Sequence, residues 1–146
     1  MRHRRVVRRF GRGPAHHRAI MRNLAISLIL HEKIQTTVPK AKELARYMDR
    51  LISTARKGVL SEDDAGKTAA FRRVWAVLHH KPAMKRLVQD IVPRFLDRPS
   101  GFTRVVRTGQ FRVGDGAELA IICFVGSETV RVEERQKRLE RKAKQV

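Results

Sequence analysis

The chain opens with a helical pattern followed by a strand pattern. Pro14 suits the first turn of a helix, and apolar residues then recur four apart, which predicts a helix over residues 14–30. These apolar positions are Ile20, Leu24 and Leu28. The segment KIQTTV, residues 33–38, alternates in polarity and carries β-branched side chains, so it is predicted to form a short strand.

A second helix is predicted to start at Pro39. Thr37 or Val38 would occupy its cap position, and Thr is chemically the better cap. The helix should run to Lys57 and stop at Gly58, because glycine commonly follows the last helical residue. The expected core stripe is Ala41, Leu44, Met48, Leu51 and Ala55.

Two more helices are predicted before residue 96. The segment Ser61–Glu62–Asp63–Asp64 has the form of a capping box, in which a serine is followed three residues later by an acid. The third helix should then run to about His80 and pack through Phe71, Val74, Trp75 and Leu78. A fourth helix is predicted from Pro82, with Met84, Leu87, Val88, Ile91 and Phe95 as apolar positions. Pro93 should kink or end this helix, because proline cannot continue the hydrogen-bond ladder.

Two strands are predicted to close the domain. Residues 102–108 are rich in β-branched side chains, and residues 118–125 (ELAIICFV) are almost continuously apolar, which is typical of a strand buried on both faces. Gly114–Asp115–Gly116 supplies a tight turn between them. The order helix, strand, three helices, two strands predicts an α+β fold with two layers.

Charge divides the chain into three parts. We interpret residues 1–13 as an extended basic arm, residues 14–126 as one globular domain and residues 127–146 as a charged tail. The net charge is +19, and the first carboxylate is Glu32. The segment before Glu32 carries basic but no acidic side chains, so its positive charges repel one another. We therefore expect it to bind a polyanion that neutralises them. Arginine, whose planar fork grips phosphate, makes up most of the 33 basic residues, which favours nucleic acid and in particular RNA.

The sequence offers little for catalysis, metal binding or membrane insertion. The histidine pairs 16–17 and 79–80 are adjacent and point to different sides of a helix, and no glycine-rich phosphate loop precedes a helix. Cys123 lies inside an apolar strand and is interpreted as a small buried side chain. No run of 18 apolar residues is present. We therefore expect no enzymatic activity, no cofactor, no metal, no small-molecule substrate and no membrane partner.

Basic rows continue from the arm onto the predicted helices. Arg18 and Arg22 lie four apart on the first helix, and Lys42, Arg46 and Arg50 form a row on the second. The motifs of zinc fingers, leucine zippers and RNA-recognition sheets are absent. This pattern predicts recognition of the shape and phosphates of folded RNA, while a free nucleic-acid chaperone or nucleoid-type DNA-binding protein stays open as the alternative.

Several segments resemble the bacterial-type ribosomal protein L-seventeen family of the large subunit. These are residues 1–4 (MRHR), Arg22–Asn23, residues 36–44 (TTVPKAKEL), residues 93–95 (PRF), residues 101–104 (GFTR) and Gly114–Asp115. The resemblance covers roughly residues 1–57 and 86–126. Residues 5–7 replace a more polar, glycine-containing stretch, residues 58–85 are longer than the usual connection, and the tail from Glu128 is an addition.

The resemblance implies a structural constituent of the large ribosomal subunit that binds ribosomal RNA through its N-terminal segment and its basic helix faces. Its partners would be large-subunit ribosomal RNA and neighbouring large-subunit proteins, in the cytoplasm or on an organellar ribosome, and the family has no catalytic residues to carry over. The arm residues expected to bind RNA are Arg2, His3, Arg4, Arg5, Arg8, Arg9 and Arg12. The expected contacts in the domain are His16, His17, Arg18, Arg22, Asn23, Thr36, Thr37, Lys40, Lys42, Arg46, Arg50, Arg94, Thr103, Arg104 and Arg107.

Overall fold

The computed structural model describes residues 8–126, so the predicted contacts Arg2, His3, Arg4 and Arg5 and the predicted tail lie outside the described residues. The elements are α1 (Pro14–His31), β1 (Lys33–Thr37), α2 (Val38–Leu60), α3 (Asp64–Leu78), α4 (Lys81–Arg86), β2 (Thr103–Phe111) and β3 (Glu118–Phe124). A π-helical turn (Leu87–Ile91) and a 3-10 turn (Val92–Phe95) follow α4 directly. This order confirms the predicted α+β class.

The three strands form one antiparallel sheet in the order β1-β3-β2. The last strand of the chain is therefore the central one, with a hydrogen-bonded neighbour on each edge. Ala120, Ile122 and Phe124 on one face of β3 are buried in the common core with the helices. On the other face Cys123 is buried, whereas Leu119 and Ile121 are only half-buried. The prediction that both faces of this strand are buried therefore holds fully only for the face that packs on the helices.

The helix α2 is the centre of the helical layer. Its predicted stripe of Ala41, Leu44, Met48, Leu51 and Ala55 is buried, and Ile52 joins it. The helix also fixes the start of β2, because Asp49 Oδ1 accepts a hydrogen bond of 3.2 Å from the backbone N–H of Phe102. The sheet and the helices thus share one core organised around α2. None of the helices described between residues 8 and 126 is long and apolar enough to cross a membrane.

The prediction that α2 stops at Gly58 is wrong. The helix continues to Leu60, and Gly58 is buried inside it. A Cβ atom at this position would lie 2.9 Å from the Cβ of Ala70 and 3.0 Å from Cε1 of Phe71. Gly58 therefore lets α3 approach α2 closely and does not end the helix.

The start and packing of α3 also differ from the prediction. The cap is Asp63, whose side chain accepts hydrogen bonds from the backbone N–H groups of Ala65 and Gly66, whereas Ser61 ends α2. Val74 and Leu78 are buried as expected, but Trp75 is 43% exposed. The helix ends at Leu78 because His79 adopts the left-handed conformation with φ 49°.

Proline shapes the segment after α4 as predicted. Pro93 lacks a backbone N–H and lies at the second position of the 3-10 turn that replaces regular helix. Leu87, Ile91 and Phe95 remain buried across the change of helix type. The ring centroid of Phe95 lies 5.4 Å from that of Phe102, so the turn still packs against the beginning of β2.

A buried carboxylate joins the two ends of this layer. Glu32 follows α1 in the left-handed conformation and is only 3% exposed. Its Oε1 accepts hydrogen bonds from Arg86 at 3.2 Å and from Arg94 at 3.1 Å. Arg86 also donates to the backbone oxygen of Leu30 at 2.7 Å. One acidic side chain thus holds α1 against the segment that follows α3.

Candidate nucleic-acid interface

The described end of the N-terminal arm is folded back and is not extended throughout. The backbone N–H of Arg12 donates to the oxygen of Arg9 at 3.0 Å, and Phe10 and Gly11 between them have φ values of 55° and 66°. These values are those of a type I′ turn. The ring of Phe10 stacks on that of His17 in α1 at 5.7 Å, so the turn is anchored to the first helix.

A second contact ties the arm to α2. The backbone N–H of Arg8 donates to Glu43 Oε2 at 3.4 Å, and Arg46 Nη1 lies 3.9 Å from the same oxygen. Glu43 is 8% exposed. The arm therefore leaves the domain beside the first turns of α2, where the predicted basic row begins.

The basic row on α2 is largely available to a partner. Lys42, Arg46 and Arg50 are exposed, and Lys40 beside them is half-buried. Within the part of the chain that the structure describes, the side chains of Lys40, Lys42 and Arg50 form no hydrogen bond or ion pair. Arginine and lysine heads with no carboxylate partner present unneutralised positive charge to solvent.

Two predicted contacts on α1 have different surroundings. Arg18 is exposed and has no ion-pair partner among residues 8–126. Arg22 is half-buried, and its Nε–H donates to the backbone oxygen of Val77 at 2.8 Å. Val77 lies in the last turn of α3, where the helix dipole favours a cation. Of the neighbouring predicted contacts, His16 and Asn23 are exposed and His17 is half-buried.

Other predicted contacts interact with the protein itself. Arg94 is exposed but forms an ion pair with Glu32, and the hydroxyl of Thr103 is buried. Thr37 is also buried, and although it holds the predicted cap position of α2, its side chain forms no cap hydrogen bond. Thr36 is half-buried. These residues therefore contribute to contacts within the domain.

The two arginines predicted on β2 are not brought together. Arg104 pairs in register with Cys123 and so lies on the sheet face opposite the helices. Arg107, three residues on, lies on the other face, and its Nη1 is 3.7 Å from Oε1 of Glu118. These two side chains therefore lie on opposite faces of the sheet.

A cleft between α2 and α3 was missed by the sequence analysis. It has a volume of about 210 Å³ and is lined by Tyr47, Arg50 and Thr54 from α2 and by Arg73, Val74 and Val77 from α3. Burial raises the pKa of Tyr47 above its ordinary value, and the nearby charge of Arg22 opposes this effect. The only sequence signal was the basic pair Arg72–Arg73, whose orientation depends on how α3 packs.

Metal binding has no support in the described region. Between residues 8 and 126 no group of three or more His, Cys, Asp or Glu side chains is arranged to hold a metal ion. Cys123 is buried, as predicted. The chemistry offered by the described surface is therefore that of exposed cations on a folded support.

The chain is similar to proteins of one family. A family model described as "Ribosomal protein L17" matches residues 20–125. A protein of Campylobacter lari named "Large ribosomal subunit protein bL17" is 46% identical over 125 residues, covering 86% of this chain and 99% of the relative. A protein of the same name from Koribacter versatilis is 43% identical over 146 residues, covering 100% of this chain and 85% of the relative.

Proposed function

This chain belongs to the ribosomal protein L17 family, and we propose its function on that basis. As a member, it is a structural constituent of the large ribosomal subunit. We propose further that it binds and stabilises large-subunit ribosomal RNA through its arginine-rich N-terminal segment and its basic helix faces. Its other partners would be neighbouring proteins of that subunit, and its place of action the ribosome.

The observation that carries the proposal is the set of cations without carboxylate partners on α1 and α2. Arg18, Lys42 and Arg50 are exposed, and within the described region none has an ion-pair partner. The described part of the arm lies against the start of α2, because the backbone N–H of Arg8 is bound to Glu43, which follows Lys42 in the sequence. A polyanion that follows the row on α2 would therefore also meet the arm.

The proposed mechanism is neutralisation of phosphates on a rigid support. Each arginine or lysine that contacts a phosphate releases counterions, so affinity falls steeply as salt is raised. Six contacts would lower the affinity about a thousandfold between low and physiological salt, by the rule established for DNA. The domain fixes the relative positions of the cations, which favours a folded RNA of matching shape over an arbitrary polyanion. We propose no reaction for the chain.

Competition binding tests the proposal. The purified chain is bound to a large-subunit ribosomal RNA transcript across a salt series, with duplex DNA as competitor. We expect a steep loss of affinity with salt and weak competition by DNA. Equal competition by duplex DNA would support the nucleic-acid chaperone or nucleoid-type alternative instead.

A deletion and two substitutions locate the RNA-binding surface. Deleting residues 2–12 should leave the circular dichroism spectrum of the domain unchanged and weaken RNA binding, and an unchanged affinity would refute the role of the arm. Arg18→Gln should weaken binding more than Arg112→Gln, because Arg112 is already bound to Asp115 in the β2–β3 hairpin. Equal losses for the two variants would mean that only total charge matters.

A further inference from the structure

We propose that the cleft between α2 and α3 binds one unstacked nucleotide of RNA, with the base against its apolar floor and the phosphate between Arg50 and Arg73. This inference rests on the RNA binding proposed above and names a specific site for it. Three observations support this site: the shape of the cleft, the charges of the residues that line it, and its position at the end of the basic row on α2.

The shape of the cleft suits a small flat group. The apolar lining residues are Leu51, Val74 and Val77. Val77 is half-buried and presents apolar surface to the cleft, whereas Val74 is fully buried and supports the lining from within. At about 210 Å³ the cleft is smaller than pockets for drug-sized ligands, which begin at about 300 Å³. A single base is a planar group whose faces are apolar, and RNA recognition commonly uses bases that have left their stack.

The charges around the cleft select an anion. Arg50 stands on the α2 wall and Arg73 on the α3 wall, and no acidic side chain lines the space between them. Both arginines are exposed, and neither has a side-chain hydrogen bond or ion pair inside the described range 8–126. Two exposed arginines that line an apolar cleft match a base joined to a phosphate, because guanidinium groups bind phosphate bidentately.

Polar groups at the rim could distinguish a nucleotide from an apolar side chain. The half-buried Tyr47 hydroxyl has no hydrogen-bond partner in the described part of the chain, so it can donate to a base edge or to a ribose hydroxyl. Thr54 donates its hydroxyl proton to the backbone oxygen of Arg50, which leaves its lone pairs as acceptors.

The position of the cleft continues the basic row. Arg50 is both the last member of the Lys42–Arg46–Arg50 row and a lining residue of the cleft. An RNA strand that follows the row would therefore arrive at the cleft with its backbone already neutralised. The segment 58–85, which the sequence indicates is longer than the usual connection of the family it resembles, then supplies the second wall through α3.

Two RNA hairpins and two matched variants test the proposal on the full chain. One hairpin carries a single bulged nucleotide and the other is fully paired. Arg73→Gln removes a cleft arginine, whereas Arg72→Gln removes the same charge from the adjacent exposed position on α3, which does not line the cleft. We expect Arg73→Gln to weaken binding of the bulged hairpin about tenfold, and Arg72→Gln to weaken both hairpins slightly and equally.

Methyl resonances identify where the RNA binds. The bulged hairpin should shift the methyl signals of Val74 and Val77, and the paired hairpin should not. If both hairpins bind and the two variants behave alike, with no such shifts, the cleft proposal is overturned while RNA binding stands. If neither hairpin nor ribosomal RNA binds, the proposed RNA binding itself fails. Shifts caused only by proteins of the large subunit would assign the cleft to an apolar side chain and would equally overturn a nucleotide site.

Discussion

The Nε–H of Arg22 donates to the carbonyl oxygen of Val77 across a distance of 2.8 Å, and this bond joins α1 to the last turn of α3. The same arginine was predicted to bind RNA through its position four residues after Arg18. A half-buried guanidinium can do both, because it carries five N–H donors and one of them is used here. Arg22 therefore connects the packing of the helices to the surface proposed to meet RNA.

Replacing Arg22 should lower the stability of the domain. Arg22→Gln removes a charged donor from the carbonyl at the end of a helix, and we expect a loss of about 1.5 kcal/mol in the free energy of unfolding by urea. Arg18→Gln on the same helix is the matched control and should change it by less than about 0.5 kcal/mol. Equal stability of the two variants would show that the bond to Val77 contributes nothing.

Adding one methyl group at Gly58 should destabilise the α2–α3 contact. Alanine is the better helix former, by about 1 kcal/mol, but its Cβ would lie 2.9 Å from the Cβ of Ala70. We expect Gly58→Ala to cost about 1–3 kcal/mol in unfolding free energy, because the helices must move apart. In the double variant Ala70→Gly makes room, so the two changes should be less than additive in a double-mutant cycle. A stabilised Gly58→Ala protein would contradict this close approach.

Removing the charge of Glu32 should also lower the stability of the domain. Glu32→Gln leaves Arg86 and Arg94 without their shared carboxylate. We expect a loss of about 2 kcal/mol, since hydrogen bonds to charged groups contribute about 1.5–3 kcal/mol and the two arginines stay partly exposed to solvent. Glu62→Gln is a suitable control because Glu62 is exposed and precedes α3. Urea unfolding of both variants measures the difference in unfolding free energy. A decrease below about 0.5 kcal/mol for Glu32→Gln would refute the role of Glu32 in holding α1 against the segment that follows α3.

Tyr47 should ionise at higher pH than a free tyrosine. Burial raises the pKa of its phenol, and the charge of Arg22 partly opposes this. Because the folded pKa is raised, the corresponding stability is fully present below the unfolded value near 10 and is lost as pH rises through the folded value.

The chain holds one tyrosine, so near-ultraviolet absorbance follows this phenol alone. Arg22→Gln should raise the pKa of Tyr47 further, because the opposing positive charge is removed. A midpoint at or below the value of free tyrosine would contradict the burial of the ring.

The order of elements was predictable from local patterns. The apolar run 118–125 indicated a strand with a buried face, and Pro93 indicated the end of regular helix because proline lacks an N–H. The stripe on α2 followed from helical spacing alone. Each of these features depends on residues close together in the sequence.

The wrong or missed predictions concern features that depend on contacts between residues far apart in the sequence. Gly58 was predicted to end a helix, but the nearness of Ala70 gives it a packing role that no local pattern reveals. Asp63 rather than Ser61 caps α3 because α2 extends further than expected. For the candidate site, the exposed row on α2 followed from spacing, whereas the engagement of Arg94 by Glu32 and the cleft beside Arg73 depend on tertiary packing.

The pairing of Lys33 with Cys123 places the central strand near the end of the described chain. During synthesis the N-terminal segments emerge first, and α1 and α2 can form from near neighbours while both edge strands still lack their partner. Long-range pairing of this kind is slow compared with helix formation. The most basic segment is therefore synthesised before the sheet can close, and the proposed RNA binding would not require the complete fold.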